Sequence, residues 1–409
     1  MSEFMQNMIA ERLGGNMFGK DTKIYKFEKI KRAKKAAMEK DPSAELIDMG
    51  VGEPDDKAPA EIADILKKEV DKKENRFYSD NGIQEFKDVA ADYMKKRFNV
   101  DIDPVSEVNH SIGSKPGLAM IPFTLINPGD ISLMTVPGYP VTGSLTKYLG
   151  GDIYTLPLTK ENDFLPDLGA IPEDIRKKAK LLYLNYPNNP TGAVAGKDFF
   201  EKVVKFAKEN NIAVVHDAAY IELTYSEKQP SFLSVEGAKD VGIEIHSLSK
   251  SFNMTGWRLA FVCGNETLVK AFATVKDNYD SGQFIPIQKA GAYALQHPEL
   301  IDKTREKYKR RLSKLSEILS DMGFYVNQPK GTFYLYFEIP KGTKSGKKFN
   351  NAEEFCDFMI REKYISSVPW DDAGNFLRFS ATFEAESLDE EERIIGEIKK
   401  RLSEEDFIF

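Results

Sequence analysis

The stretch Ser247-Leu248-Ser249-Lys250-Ser251-Phe252-Asn253-Met254-Thr255-Gly256-Trp257-Arg258 follows a short apolar run at 241–245. Such a run reads as a buried strand. Lys250 then stands at a strand end among hydroxyls, with a glycine and an arginine a few residues on. A lysine in that position loses solvation, which favours its neutral amine. A neutral amine attacks an aldehyde and can form a Schiff base. Ser247, Ser249 and Arg258 are groups that could hold a phosphate nearby. Taken alone, a lysine in such a loop is more often a solvated surface residue, because short motifs recur by chance. The rest of the chain decides between the two.

At 409 residues the chain is too long for one small core, so two lobes are expected. Hydrophobic residues make up 41% and charged residues 30%, which fits a globular protein. The net charge of −7 argues against a nucleic-acid binder and against a basic membrane-surface protein. Lys67-Lys68 and Lys72-Lys73 are mixed with acids and read as solvated helix faces. No apolar run is long enough to cross a bilayer. Residues 1–20 are polar and broken by Gly14-Gly15, unlike a secretory signal. Cys263 and Cys356 lie in apolar surroundings and read as buried free thiols of a reducing cytosol. The four histidines are scattered, no Cys/His cluster has metal-ligand spacing, and no metal is expected.

Runs at 131–134, 181–184, 212–215 and 261–263 read as buried strands. Helical patterns fall at 24–38, 58–73, 84–98, 199–208, 268–277, 289–295 and 301–322. Strands at 333–339 and 376–380 belong to a smaller α+β lobe, and 401–406 reads as a helix end. The alternation predicts an α/β fold, a mostly parallel sheet with helices on both faces.

Open α/β sheets place ligands at the carboxyl ends of their strands. The motifs cluster there. The strand at 212–215 ends in His216-Asp217-Ala218-Ala219-Tyr220. The strand at 181–184 runs into Asn185-Tyr186-Pro187-Asn188-Asn189-Pro190-Thr191-Gly192, a dense turn signal. His110-Ser111-Ile112-Gly113-Ser114-Lys115-Pro116-Gly117 ends a strand and opens a helix, with proline suited to the first turn. Free backbone N–H groups at a helix N-terminus bind anions, so Ser114, Lys115 and their amides are a candidate phosphate cradle. Tyr139 follows the strand at 131–134 in a Pro-Gly-Tyr-Pro turn. Its large flat ring could pack on a ligand ring, although an ordinary core tyrosine fits as well. Gly52, in Gly50-Val51-Gly52-Glu53-Pro54, lets backbone come close to a ligand, or simply makes a turn. Arg378, in the apolar stretch Asn375-Phe376-Leu377-Arg378-Phe379-Ser380, carries a planar fork that grips a carboxylate bidentately.

These motifs, in this order from about Val51 to Ser380, resemble the class I/II aminotransferases. One departure is Ala260, where that family usually has glycine. The resemblance implies a fold-type I transferase that uses pyridoxal 5'-phosphate. It implies an N-terminal arm with part of the small domain over 1–55, a large cofactor domain over 56–285 and a small domain over 286–409. Lys250 would carry the cofactor and shuttle a proton. Asp217 would face the pyridine nitrogen, with Asn189 and Tyr220 on the phenolic oxygen and Tyr139 stacked on the ring. Ser114, Lys115, Ser247, Ser249 and Arg258 would hold the phosphate. Tyr78 would reach the partner's phosphate in a homodimer, with the 277–286 loop at the interface. Gly52, Asn189, Arg378 and Tyr25 would face the substrate, an amino acid or a 2-oxo acid, with Arg378 on the α-carboxylate.

Within that family, four segments are similar to the LL-diaminopimelate aminotransferases: Asn188 to Ala195, Asp217 to Tyr220, His246 to Lys250 and Phe376 to Ser380. That likeness implies transfer between LL-diaminopimelate and 2-oxoglutarate in lysine biosynthesis. Tyr78-Ser79-Asp80-Asn81-Gly82 departs from that branch, which often has Tyr-Gly-x-Glu-Gln-Gly. The glutamate for the distal ammonium is missing, with Asp80 as its substitute and Asn81 and Tyr25 as further distal groups. Asn253 to Arg258 also fits alanine- and aspartate-type relatives. An alanine, aspartate or aromatic donor, and a β-lyase reaction, therefore stay open. A regulator with this fold is disfavoured, because 1–50 leaves no room for a DNA-binding domain and the net charge is negative.

Overall fold

A computed structural model describes residues 3–20, 26–226 and 228–409. After a short first strand, β1 (Ile47–Asp48), seven strands build the main sheet. They are β2 (Val108–Ser111), β3 (Ile131–Val136), β4 (Asp152–Pro157), β5 (Ala179–Asn185), β6 (Ala213–Asp217), β7 (Gly242–Ser247) and β8 (Ala260–Gly264). Their order is β2-β8-β7-β6-β5-β3-β4. β8 runs antiparallel to both its neighbours, and every other pair is parallel.

The central strands are apolar at successive positions because both their faces are covered. Leu181, Tyr183, Val215, Ile245 and Val262 pack with Leu118 and Ile121 of helix Ser114–Leu125 and with Val269 and Phe272 of helix Glu266–Lys276. Leu182, Leu184 and Val214 join the other layer, with Phe86 and Val89 of helix Gln84–Phe98 and Phe200 and Val203 of helix Lys197–Asn210. Each such side chain, fully buried, contributes about 1.5–3 kcal/mol. The parallel sheet expected from the sequence is present, with one reversed strand.

The remaining strands are β9 (Tyr334–Glu338), β10 (Gly342–Thr343), β11 (Ile365–Ser366), β12 (Val368–Trp370), β13 (Phe376–Ser380) and β14 (Phe407–Ile408). β12, β13 and β9 form an antiparallel sheet in that order. β1 pairs in parallel with β11, which ties the first 50 residues to the C-terminal elements. Helices Asp302–Asp321, Ala352–Lys363 and Leu388–Leu402 lie in this part of the chain.

Most element bounds moved by a turn or less. The helix expected at 24–38 is Lys26–Lys40, and the one expected at 58–73 is Ala60–Val70, starting after Pro59. The helix expected at 289–295 starts earlier, at Ile285, with proline in its first turn. Helix Leu388–Leu402 does end inside the charged tail, and the chain then adds β14 to β10. Among the described residues, no helix is long and apolar enough to cross a membrane. Both cysteines are buried and free.

Candidate active site

Strand ends of the main sheet open onto a cavity of about 430 Å³. It is lined from segments far apart in sequence: Gly52, Ser114, Lys115, Tyr139, Asn189, Asp217, Tyr220, Ser247, Ser249, Lys250, Arg258 and Arg378. Twelve of the fourteen residues singled out from the sequence therefore meet in one place. A larger crease of about 810 Å³, between helices Lys26–Lys40 and Ala352–Lys363, contains none of them. Chemistry, rather than volume, marks the functional cavity.

Lys250 lies in the single turn Leu248–Ser251 at the end of β7. The Ser247 hydroxyl caps that turn by accepting from the Ser249 amide. The Lys250 Nζ donates to the Gly52 carbonyl at 2.6 Å. Burial pulls the lysine down to about 8 from its ordinary 10.5, so roughly a tenth to a fifth is neutral near physiological pH, against about a thousandth at the ordinary value. Asp217 ends β6 and is buried. It accepts from the Tyr183 hydroxyl and the Ala219 amide, both at 3.2 Å. Burial pushes it up to about 6. Among the described residues it forms no salt bridge, so a protonated ring nitrogen is the kind of partner its anion lacks.

Asn189 and Tyr220 flank the same space. The Asn189 amide nitrogen donates to Asn185 Oδ1 at 2.9 Å, and Asn185 in turn donates to the Asp217 carbonyl at 2.8 Å. The Tyr220 hydroxyl is 2.9 Å from that of Tyr334. Arg378, on β13, donates to Asn189 Oδ1 and to the Gly50 carbonyl, both at 3.1 Å. Its guanidinium lies 4.2 Å over the Tyr334 ring, and its buried Nε has no hydrogen-bond partner among the described residues.

The phosphate end is shaped by a close approach. Gly113 has φ +84°, and a Cβ there would sit 2.3 Å from Arg258 Nη2. Only glycine lets the helix N-terminus at Ser114 come this near the arginine. Arg258 Nη1 donates to the Thr255 carbonyl at 2.7 Å. The first residues of that helix, Ser114 and Lys115, line the cavity together with Ser247, Ser249 and the Arg258 guanidinium. These donors fit a phosphate, as Asp217 fits a pyridine nitrogen and Lys250 an aldehyde.

Two expected residues are not in this cavity. Tyr78 is 83% exposed and does not line the cavity of its own chain. Tyr25 lies outside the described residues. The distal groups Asp80 and Asn81 also stand elsewhere: the Asp80 carbonyl accepts from Lys276, and Asn81 donates to Asp277 at 2.7 Å. Within one chain, Glu53 and Asp217 are the carboxylates of the lining. Asn185, Thr255 and Tyr334 were not assigned roles from the sequence. Asn185 ends a parallel strand and was legible by the strand-end rule. Tyr334 gave no such signal, since its place depends on β9 meeting the main sheet.

A partly buried strand-end lysine, a buried acid at the end of the neighbouring strand and an anion cradle on a mostly parallel sheet define a pyridoxal-phosphate transferase of the α/β type. The chain belongs to the class I and II aminotransferases: the family described as "Aminotransferase class I and II" matches residues 44–391. Members of that family use pyridoxal phosphate. The chain is 60% identical to an LL-diaminopimelate aminotransferase of Methanococcus maripaludis and 59% to one of Methanocaldococcus jannaschii, each match covering 100% of both chains. It is 43% identical to an enzyme of the same name from Aquifex aeolicus, over 92% of this chain and 96% of that one. Among solved structures it resembles substrate-bound BacF of Bacillus subtilis, with TM-score 0.86 and 33% identity over 96% and 97% of the two chains. An aminotransferase of Staphylococcus aureus gives TM-score 0.81 and 31% identity over 88% and 95%.

Proposed function

We propose that this aminotransferase moves an amino group between LL-diaminopimelate and 2-oxoglutarate. The full-length 60% identity to an enzyme of that name carries the substrate assignment. The cavity supports the roles of individual residues. Bound pyridoxal phosphate supplies an aldehyde carbon and an electron-withdrawing ring. Asp217 keeps a proton on the ring nitrogen, and that positive partner in turn keeps the acid ionised. Asn189 and Tyr220 donate to the phenolic oxygen, and Tyr139 covers one ring face. Ser114, Lys115, Ser247, Ser249 and Arg258 hold the phosphate.

Arg378 takes the α-carboxylate of either substrate, backed by the Tyr334 ring and oriented by Asn189 and the Gly50 carbonyl. Lys250 Nζ, within hydrogen-bond reach of the Gly52 carbonyl, takes the proton from the substrate Cα and returns it to the carbon that receives the amino group. Its lowered proton affinity suits a base working near neutral pH. In the second half of the cycle the same atom moves the proton the other way.

The active unit in this reading is a homodimer in which Tyr78 completes the partner's phosphate site. Phe77, Tyr78, Tyr279 and Phe284 are all more than 45% exposed, on two segments that Ser79 and Gln283 tie together, and exposed apolar side chains of this kind favour association. The large domain spans 56–285, the small domain 286–409, and 1–55 divides between arm and small domain. A cytoplasmic location agrees with two buried free thiols.

Steady-state assays with 2-oxoglutarate and a panel of donors test the substrate. LL-diaminopimelate is expected to give the highest kcat/KM, by at least tenfold. Faster turnover of alanine, aspartate or an aromatic amino acid would overturn the substrate while leaving the reaction class intact.

A further inference from the structure

Gln283 lies between helices Glu266–Lys276 and Ile285–Gln296, outside the cavity lining. Both ends of its side-chain amide are engaged. Nε2 donates to the Trp257 carbonyl at 2.7 Å, and Oε1 lies 2.9 Å from His110 Nε2. The carbonyl contact fixes which end is the donor, so Oε1 accepts and His110 carries its proton on Nε2. The other ring nitrogen, Nδ1, is buried without a partner among the described residues, and burial holds His110 down at about 4, so the ring is neutral.

Each partner leads directly into the phosphate end. Trp257 precedes Arg258, whose backbone is left-handed at φ 59°. His110 precedes Ser111, which is bonded to Gly113 twice: the Ser111 hydroxyl donates to the Gly113 carbonyl at 2.9 Å, and the Gly113 amide donates to the Ser111 carbonyl at 2.8 Å. Gly113 is the residue against which Arg258 Nη2 packs. One amide therefore spans the two walls of the cradle. Its own backbone is held in turn: the Gln283 amide donates to Ser79 Oγ at 3.1 Å, and Ser79 Oγ donates to the Gln283 carbonyl at 2.8 Å.

We propose that Gln283 is a positioning residue for the cofactor's phosphate, setting the distance between Arg258 and the Gly113–Lys115 turn. The proposal rests on the reading that these groups bind the phosphate. Gln283 touches no ligand itself. It acts through the Trp257 carbonyl and the His110 ring.

The test compares two aldehydes on cofactor-free protein: pyridoxal phosphate, and pyridoxal, which has the same ring and no phosphate. Absorbance titration gives a Kd for each. These bonds are internal to the protein, so the expected loss of affinity is that of about one phosphate contact left misplaced, about tenfold. Gln283→Ala is therefore expected to raise the Kd of pyridoxal phosphate about tenfold and to leave that of pyridoxal within about twofold. Gln283→Glu keeps the acceptor for His110 and loses the donor to Trp257. It is expected to shift the same Kd in the same direction, and it serves if the alanine variant does not fold. Unchanged phosphate preference in the variants would overturn the proposal, as would equal weakening of both aldehydes. If the unaltered protein itself shows no preference for the phosphorylated aldehyde, the cradle assignment falls and this proposal falls with it.

Discussion

Burial lowers Lys250 to about 8 and raises Asp217 to about 6. The two shifts oppose the charge each group would carry in water, and both cost stability in the cofactor-free protein. For Asp217 the folded state binds its proton more tightly than the unfolded chain, whose value is near 3.8. Between those values the folded form keeps a proton that the unfolded form has released. Stability contributed by this group is thus present at low pH, falls as pH rises from about 4 to about 6, and stays lost above. Asp217→Asn removes the buried charge. Cofactor-free Asp217→Asn is expected to be more stable than the parent at pH 7.5, by on the order of 2 kcal/mol, and to bind pyridoxal phosphate more weakly. Thermal denaturation with and without cofactor checks both halves, and a variant less stable than the parent without cofactor would contradict the burial argument. For Lys250 the sign reverses: stability rises with pH between about 8 and 10.5 as the unfolded chain alone stays protonated. At this scale the sequence was most legible. Lys250, Asp217 and Asn189 could be brought to one cavity because strand ends and turn residues mark themselves locally, and Arg378 because a charge stands out in an apolar stretch. Tyr334 and Gln283 could not, since a tyrosine meeting Tyr220 and a glutamine bridging His110 and Trp257 depend on contacts across more than a hundred residues or between separate loops.

Among the elements, five of the seven main-sheet strands were readable from continuous apolar runs and helix Gln84–Phe98 from its apolar face, while the half-exposed edge strand β4 was not. Helices Ala352–Lys363 and Leu388–Leu402 were not placed individually, although both carry a start signal. Asn351 accepts from the Glu354 amide and Ser387 from the Glu390 amide, each a cap three residues ahead of a glutamate. The interior of helix Asp302–Asp321 hides what no periodicity reveals, a fully buried arginine. Arg311 donates to Asp55 at 3.1 Å, to Glu391 at 2.9 Å and to the Ala381 and Phe383 carbonyls at 3.0 and 2.8 Å. It thereby joins the turn after Gly52, the chain after Arg378 and helix Leu388–Leu402. Asp55 and Glu391 are themselves 2% and 3% exposed at the side chain, so each would lose its buried partner. Arg311→Ala is expected to destabilise the protein by about 3–5 kcal/mol. Urea unfolding should show this as a lower midpoint at similar slope. A loss under about 1 kcal/mol would mean that Arg310 and Lys307 suffice to hold the two acids.

At the scale of the whole molecule, the mostly parallel sheet was foreseeable and its single reversed strand was not. The seating of the C-terminal elements against the main sheet also lay beyond local pattern. That seating brings Arg378 beside Asn189, residues 189 apart in the chain. The exposed ring of Tyr78 and the apolar surface around it belong to the same scale. Sedimentation velocity of the loaded protein is expected to show a two-chain species. Tyr78→Ala should weaken pyridoxal phosphate binding without changing the Lys250 environment of its own chain. A fully loaded and fully active monomer at assay concentration would contradict the shared site.

The most direct measurement is a half-reaction. Protein loaded with pyridoxal phosphate is mixed with LL-diaminopimelate in the absence of any 2-oxo acid, quenched, and its released cofactor analysed. With Lys250 as the proton carrier and diaminopimelate as the donor, one pyridoxamine phosphate per chain is expected, with Lys250→Ala giving none on the same time scale. No conversion by the unaltered protein, or conversion at the same rate by Lys250→Ala, would contradict it.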